Sequence, residues 1–358
     1  MNSKLKEHQN RKRILKKRYI LFTVIAAIMV ISMLYALNIY NKIFGGNVNS
    51  TEKQVEIFIP SNPTFEEVTS LLEYSAAIED INSLVWLADF KNVKNSFKGG
   101  RYILKNGMNN NTILNMLVGG IQSPVKVTFN NIRTVEDLSG ALSKRFEADS
   151  IEFISFFKND SLIKKLGYNK ETILAYILPN TYEMWWTTKP EEFIKRMQIE
   201  YDRFWNAERK KRADEIGLSP YEVSILASIV DEETSKADER KTVAGLYMNR
   251  LNRGMRLEAD PTIKYVLNDF TVRRILNRDL IIDSPYNTYK YAGLPPGPIR
   301  MPSTQAIDAV LYYEKHDYLF MCAKEDFSGY HNFAKTLRQH NVNAAKYRRA
   351  LHNLKIYR

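Results

Sequence analysis

The sequence predicts an α+β protein carried on a single N-terminal transmembrane helix. Three observations predict it. Tyr19 to Asn41 contains no charged side chain. Residues 54–125 follow a strand–helix–helix–strand order, alternating at a period of two and then at helical spacing. A strand at VKVTF and a helix capped at Thr134 follow, and residues 217–358, with their capped helices, are expected to form a mixed α/β C-terminal domain.

The uncharged run is 23 residues long. As a helix it spans about 34 Å at ~1.5 Å per residue, enough for a bilayer core of roughly 30 Å. A secretory signal has a shorter apolar core followed by a small-residue cleavage site. Here Leu37 to Asn41 shows no Ala-x-Ala pattern, so an uncleaved anchor is expected. Tyr19, Tyr35 and Tyr40 are spaced for the two interfacial layers. Residues 1–18 hold Lys4, Lys6, Arg11, Lys12, Arg13, Lys16, Lys17 and Arg18 against Glu7, and so account for +7 of the net charge of +12. A basic tail of this kind stays on the cytoplasmic side of a bacterial inner membrane, which puts the rest of the chain outside. The charge left over is too thin for a nucleic-acid surface, and no nucleic-acid partner is expected. Cys322 is the only cysteine, which rules out an intramolecular disulfide and a thiolate metal cluster. The five histidines form no zinc-binding spacing, so no metal and no cofactor is expected.

The expected order is a tail over 1–18, the membrane helix over 19–41, a Gly/Asn/Ser-rich flexible stalk over 42–53, and a small domain over 54–125. A connecting subdomain over 126–216 and a C-terminal domain over 217–358 follow. In the small domain Thr64 reads as a helix cap with Glu67 three residues on, a second helix falls near Asn82 to Ala88, GGRYILKNG reads as turn, strand, turn, and NNNTILNMLVGG as a helix closed by Gly119-Gly120. This pattern resembles LysM-like glycan-binding modules. Thr134 caps another helix, and Arg203 to Gly217 reads as one charged helical stretch bridging the domains.

The stretch SILASIVDEETS, residues 224–235, carries the chemistry. Ser219, Pro220 and Glu222 make a strong helix start. On a helical wheel centred on Leu226, Val223, Val230 and Ile229 form an apolar stripe with Glu233 in its middle, while Asp231, Glu232 and Ser228 fall off it. Glu233 is therefore the acid expected to face an apolar neighbourhood, where its pKa rises and it serves as a general acid. Two bland alternatives stand beside this: a helix that ends by residue 231 with all three acids solvated, or a buried Glu233 paired with Arg250 or Arg256.

LASIVDEET, NRLNRGMRLEADPTIKY, SPYNTYKYAGLPPGPI and HNFAKTLRQHN occur in this order. Together they resemble the endolytic murein transglycosylases, the YceG-like family, over roughly residues 54–352. The resemblance implies that Glu233 is the catalytic acid of a lytic transglycosylase. Such an enzyme cleaves the β-1,4 bond between N-acetylmuramic acid and N-acetylglucosamine in peptidoglycan strands, leaves 1,6-anhydro ends and terminates strand growth, with penicillin-binding proteins as neighbours. Asp231 stands where the family has Glu, and Gln339 stands where its last motif has Glu, so no role is carried to Gln339.

The other motif residues have two readings each. Asn249 and Arg250 are a solvated polar pair or site-lining groups. Asp260 reads better as a helix cap, with Pro261 and Thr262 behind it, than as a second acid. Ser284, Tyr286, Asn287, Thr288 and Tyr289 mix hydroxyls, an amide and aromatics as sugar sites do, or form an ordinary loop. Leu294 and Pro295, in the stiff GLPPGP run, wall a cleft or make a turn. His331, with Asn332 and Phe333, orients substrate or is structural. A different class stays open: an anchor that binds wall glycan without cutting it.

Overall fold

The structure, a computed structural model of the 358-residue chain, describes residues 2–129, 132–165, 169, 171–272 and 275–354; up to residue 14 only His8 has a described side chain. The basic tail's charged groups as far as Arg13 thus lie outside the described residues. The chain divides into two compact units, residues 1–125 with 185–187, and residues 126–184 with 188–358.

The first unit opens with α1 (Asn2–Phe44), an unbroken helix that takes in both the expected tail and the apolar run. Its Leu15–Phe44 section is long and apolar enough to cross a membrane. Then come β1 (Gln54–Ile59), α2 (Phe65–Tyr74), α3 (Ile81–Phe90), β2 (Gly100–Lys105) and α4 (Asn110–Gly119). The strands pair antiparallel, Gln54 opposite Lys105 and Ile59 opposite Gly100. Thr64 and Glu67 form a capping box, Asp80 and Asn109 cap α3 and α4, and Gly120 ends α4 with a φ of 67° that favours glycine. Ile57, Ile59, Tyr102 and Leu104 from the strands meet Val68, Leu72, Leu84, Leu87, Ile113 and Leu117 from the helices in one core.

The flexible stalk expected over 42–53 is a correction. Asn47 and Val48 are buried. Asn47 Nδ2 donates to the Asp80 carbonyl (2.9 Å) and to Asn110 Oδ1 (2.6 Å), while its Oδ1 accepts from Asp80 N (2.7 Å). A Gly/Asn composition is flexible only while its backbone and amides bind water. Here the Asn47 amide satisfies polar groups at the start of α3 and α4 instead.

The second unit runs β3 (Val125–Thr128), α5 (Val135–Ser143), α6 (Ser150–Phe157), α7 (Asp160–Lys165), β4 (Thr181–Met184), α8 (Pro190–Phe204), α9 (Ala207–Glu215), α10 (Pro220–Glu233), α11 (Arg240–Asn252), α12 (Asp260–Leu267), α13 (Thr304–Leu311), β5 (Phe320–Ala323), β6 (His331–Ala334) and α14 (Leu337–Asn353). β3 lies beside β4, and β5 pairs antiparallel with β6, Phe320 opposite Ala334 and Ala323 opposite His331. The expected mixed α/β domain is thus a helical body with two strand pairs. Residues expected as a separate connecting subdomain belong to the same compact unit as α10 to α14. The stretch expected as one helix over 203–217 breaks at Trp205. That residue leaves helical geometry (ψ 59°) as its indole becomes fully buried, and Asn206 caps α9 by accepting from Arg209 N (3.0 Å).

α10 is the central helix. Ser219, Pro220 and Glu222 start it with the expected capping box. Every residue from Val223 to Val230 is buried, and α9, α11, α12 and α13 pack around it. The wheel assumed a solvent face that this helix does not have. Ser228, expected on the polar side, is fully buried; its Oγ donates to Ile225 O (2.7 Å) and accepts from Ile299 N (3.0 Å).

Candidate active site

Three carboxylates leave the end of α10 in three directions. Asp231 accepts from Ser303 N (2.6 Å) and Ser303 Oγ (2.9 Å) and pairs with Arg240 (3.2 Å). Glu232 is held by Arg133 and Arg300, each at 2.7 Å. Both acids were expected in solvent. They are fixed instead, because a helix enclosed on every side must end inside the protein and its charges must be paired there. Glu233 differs. Its Oε2 is sealed from solvent and has no hydrogen-bond partner. The carboxyl lines a cavity of about 530 Å³. Burial, reinforced by the charge of Asp260, pushes its pKa up to about 8 against the opposing hydrogen bond from Tyr247. A group of this kind holds its proton at neutral pH. The feared pairing with Arg250 is absent: Arg250 binds Glu258 (2.5 Å) and the Leu257 carbonyl (3.2 Å).

The turn after Glu233 is stapled by a second buried acid. Glu239 Oε2 accepts from Thr234 Oγ1 (3.0 Å) and meets His331 Nδ1 (2.8 Å), and its Oε1 accepts from His331 N (2.7 Å). This ties the end of α10 to the first residue of β6 and presents His331 to the cavity. Asp260 and Tyr289 form the wall nearest α12, joined through the Tyr289 hydroxyl donating to Asp260 Oδ1 (2.5 Å). Asp260 is not the helix cap expected: Ala259 occupies that position with no side-chain cap, and Asp260 is the first helical residue, its carboxylate turned to Tyr289. Burial and the Asp260 charge raise the Tyr289 phenol far above its ordinary range, so it stays a donor. The opposite wall is β5, from Phe320 to Ala323, with His340 and Tyr347 of α14. His340 Nδ1 is buried without a partner, and burial beside Arg250 lowers the ring's pKa.

Of the expected site residues, the cavity brings together Glu233, Arg250, Asp260, Tyr289 and His331. The others make packing and loop contacts outside its lining. Asn249 Nδ2 donates to the carbonyls of His316 (2.7 Å) and Tyr318 (3.0 Å), mooring the chain that leads into β5. Thr262 and Thr288 share a hydroxyl bond (2.9 Å), and Thr288 Oγ1 accepts from Ala259 N (3.0 Å). Asn287 is buried, donating to the carbonyls of Leu280 and Ile282 and accepting from Tyr289 N (3.0 Å). Ser284 Oγ accepts from Tyr286 N, and the Tyr286 ring packs on Tyr265 with centroids 4.8 Å apart. Asn332 binds Glu325 (2.8 Å), and Phe333 stacks on Tyr318. Leu294 and Pro295 line a separate depression at the start of α10, beside Tyr221, whose hydroxyl donates to the Pro296 carbonyl. Gly297 behind them is obligatory, since a Cβ there would strike the Glu171 carbonyl and the Tyr286 hydroxyl.

Sequence reasoning missed Glu239, Tyr247, Glu258, His340 and the β5 wall. Glu239 carried a faint signal, the fifth acid in DEETSKADE; His340 lay in a quoted motif. Glu258 carried none, although it sits at a φ of 52°, held there by its backbone bond to Thr288 O (3.1 Å) and its pairing with Arg250. A larger open depression of about 780 Å³ near Arg133 and Phe270 lies elsewhere and contains no buried acid of this kind among the described residues.

The chain is similar to proteins of known description. The chain is 29% identical over 312 residues to an endolytic murein transglycosylase of Bacillus subtilis, covering 82% of this chain and 84% of that protein. It is 27% identical over 334 residues to an endolytic murein transglycosylase of Streptococcus pneumoniae, covering 83% of this chain and 59% of that longer protein. A crystal structure of a yceG-like protein from Listeria monocytogenes superposes with a TM-score of 0.54 at 26% identity, over 81% of this chain and 98% of that one. The model of the YceG-like family matches residues 57–346, a span that contains every residue lining the cavity except Tyr347, and the chain belongs to that family.

Proposed function

We propose that this protein is a membrane-anchored lytic transglycosylase that cuts the β-1,4 bond between N-acetylmuramic acid and N-acetylglucosamine within peptidoglycan strands. The observation that carries the reading is the carboxyl of Glu233, one oxygen buried and unpartnered, lining the cavity. Hydrolytic glycosidases need two carboxylates about 5–10 Å apart, one of them to engage water or the sugar. Here Asp231 and Glu232 are consumed by ion pairs, and Asp260, the other carboxylate beside Glu233 in the cavity, is engaged by the Tyr289 hydroxyl, which suits a reaction that uses one acid twice.

Glu233 gives its proton to the glycosidic oxygen as the bond to C1 breaks. Positive charge develops on C1 and the ring oxygen. The resulting carboxylate takes the proton from the C6 hydroxyl of the same muramic acid, and that oxygen closes on C1 to leave a 1,6-anhydro end. The proton is back on Glu233 and no water is consumed. A pKa of about 8 serves both steps, because the acid is loaded at neutral pH and its conjugate base is strong enough to accept. Asp260, oriented by Tyr289, keeps negative charge beside the acid, where it favours the protonated form before reaction and the cationic sugar during it. Arg250, His331 and His340 supply polar contacts to acetamides and hydroxyls along the cleft. The helix α1 anchors the enzyme, N-terminus inside and the chain after α1 outside, and the part of the first unit that follows α1 acts as a LysM-like glycan-binding module.

Purified sacculi provide the test. The wild-type protein releases fragments with anhydro ends, and Glu233→Gln releases none while still unfolding in one cooperative transition no less stable than the wild type's. Binding to sacculi with no fragment from either protein makes the chain a wall anchor and sinks the enzymatic reading.

A further inference from the structure

The apolar span of α1 does not end in free chain. The Lys42 carbonyl accepts from Asn110 Nδ2 at 2.9 Å, and α1 packs against α3 and α4. The Lys42 ammonium lies 5.6 Å from the centroid of the Trp86 ring on α3. Lys42 is the first charge after the uncharged run, so it marks the headgroup level where α1 leaves a bilayer. Trp86 is fixed at that level with it. Phe90, one turn further along α3, stacks on Trp86 at 5.4 Å and is 72% exposed. Tyr40 and Phe44, rings 5.2 Å apart, are exposed at the same end of α1.

We propose that α3 rests on the membrane surface, with Trp86 and Phe90 inserted at the headgroup–acyl boundary of the leaflet from which α1 emerges. The inference rests on reading α1 as a membrane anchor. Tyr40 and Phe44 add two more exposed rings at the end of α1, with the Lys42 ammonium over Trp86 at the level of lipid phosphates. The interfacial layer is roughly 5–8 Å deep on each side of the core, so two rings 5.4 Å apart fit within it. Aromatic rings favour this layer because an apolar body and a polarised edge meet both of its environments. A second copy of the chain is a poorer occupant, since the patch is continuous with a helix that already requires lipid. Two attachment points, α1 and α3, then fix the tilt of the first unit against the bilayer.

The full-length chain in a Cys322→Ala background tests this with an environment-sensitive fluorophore at Phe90→Cys, at Ile28→Cys within α1, and at Ile121→Cys, exposed beyond the far end of α4. The protein is reconstituted in phosphatidylcholine–phosphatidylglycerol vesicles with or without doxyl-labelled lipid. The expected result is blue-shifted emission and several-fold quenching by the labelled lipid at positions 28 and 90, and neither at 121. Lipid quenching at 28 with water-like emission at 90 overturns the proposal and leaves the anchor intact. Water-like emission at 28 removes the anchor and the proposal together. A label at 90 shielded from water but untouched by labelled lipid assigns the surface to a protein contact and also overturns it.

Discussion

Glu233 keeps its proton because one oxygen has lost water without gaining a donor, and because Asp260 sets a negative charge beside it. Activity should therefore depend on the protonated form. Plotted against pH, kcat/KM should fall tenfold per unit above about 8, the value to which the carboxyl is raised. Asp260→Asn removes a charge that raises this pKa, so the descending limb should move to lower pH, and a limb that stays in place would exclude Asp260 from the site's electrostatics. The same shift has a consequence for stability. Between pH 4.5 and about 8 the folded protein holds a proton that the unfolded chain has released, so this group's contribution to stability falls as pH rises through that window. Glu233→Gln abolishes the effect and should gain on the wild type from pH 5 to 8, by roughly 2–4 kcal/mol in denaturant unfolding. Much of this was legible in sequence: the wheel singled out Glu233 of the three acids. It did so on a false premise, since α10 has no polar face. The ion pairs that bind Asp231 and Glu232 come from Arg133, Arg240 and Arg300, and no local pattern reports partners that distant.

The elements follow the same division between local and distant causes. The caps at Thr64, Thr134 and Ser219 and the glycine stop at Gly120 were readable because each is decided within about four residues. The break at Trp205 was not, because the helix yields there to bury an indole in a core assembled from several helices. The motif SPYNTY was read as sugar-binding chemistry, yet Asn287 and Thr288 spend their polar groups on the loop that places Tyr289. Asn287→Ala should then destabilise the protein by about 1–3 kcal/mol, since two buried carbonyls lose their donor, and should lower kcat/KM through a displaced Tyr289. Asn249→Ala should do the same to the β5 wall. An unchanged melting temperature for both would mean that these side chains serve substrate and not the loops.

At the scale of the whole molecule, the chain couples a long apolar helix to a compact βααβ unit with no slack between them. A chain lacking residues 1–41 should leave the membrane fraction with its first unit folded. A chain lacking residues 1–49 also loses Asn47 and Val48, and its first unit should melt several degrees lower in a calorimetric scan. The long apolar helix was plain in the sequence because its uncharged run is decided locally. The docked segment after it was hidden by its Gly/Asn composition. In the second unit, α10, α12, β5, β6 and α14 converge on one cavity, and the reaction proposed there turns on a single acid that serves as donor and then as acceptor, with the substrate's own hydroxyl in place of water. Digestion of peptidoglycan strands in heavy-oxygen water, followed by mass spectrometry of the new ends, tests this most directly. Every new muramic acid end should be anhydro and free of heavy oxygen. Ends carrying one heavy oxygen in a reducing hydroxyl would show hydrolysis and contradict the one-acid mechanism.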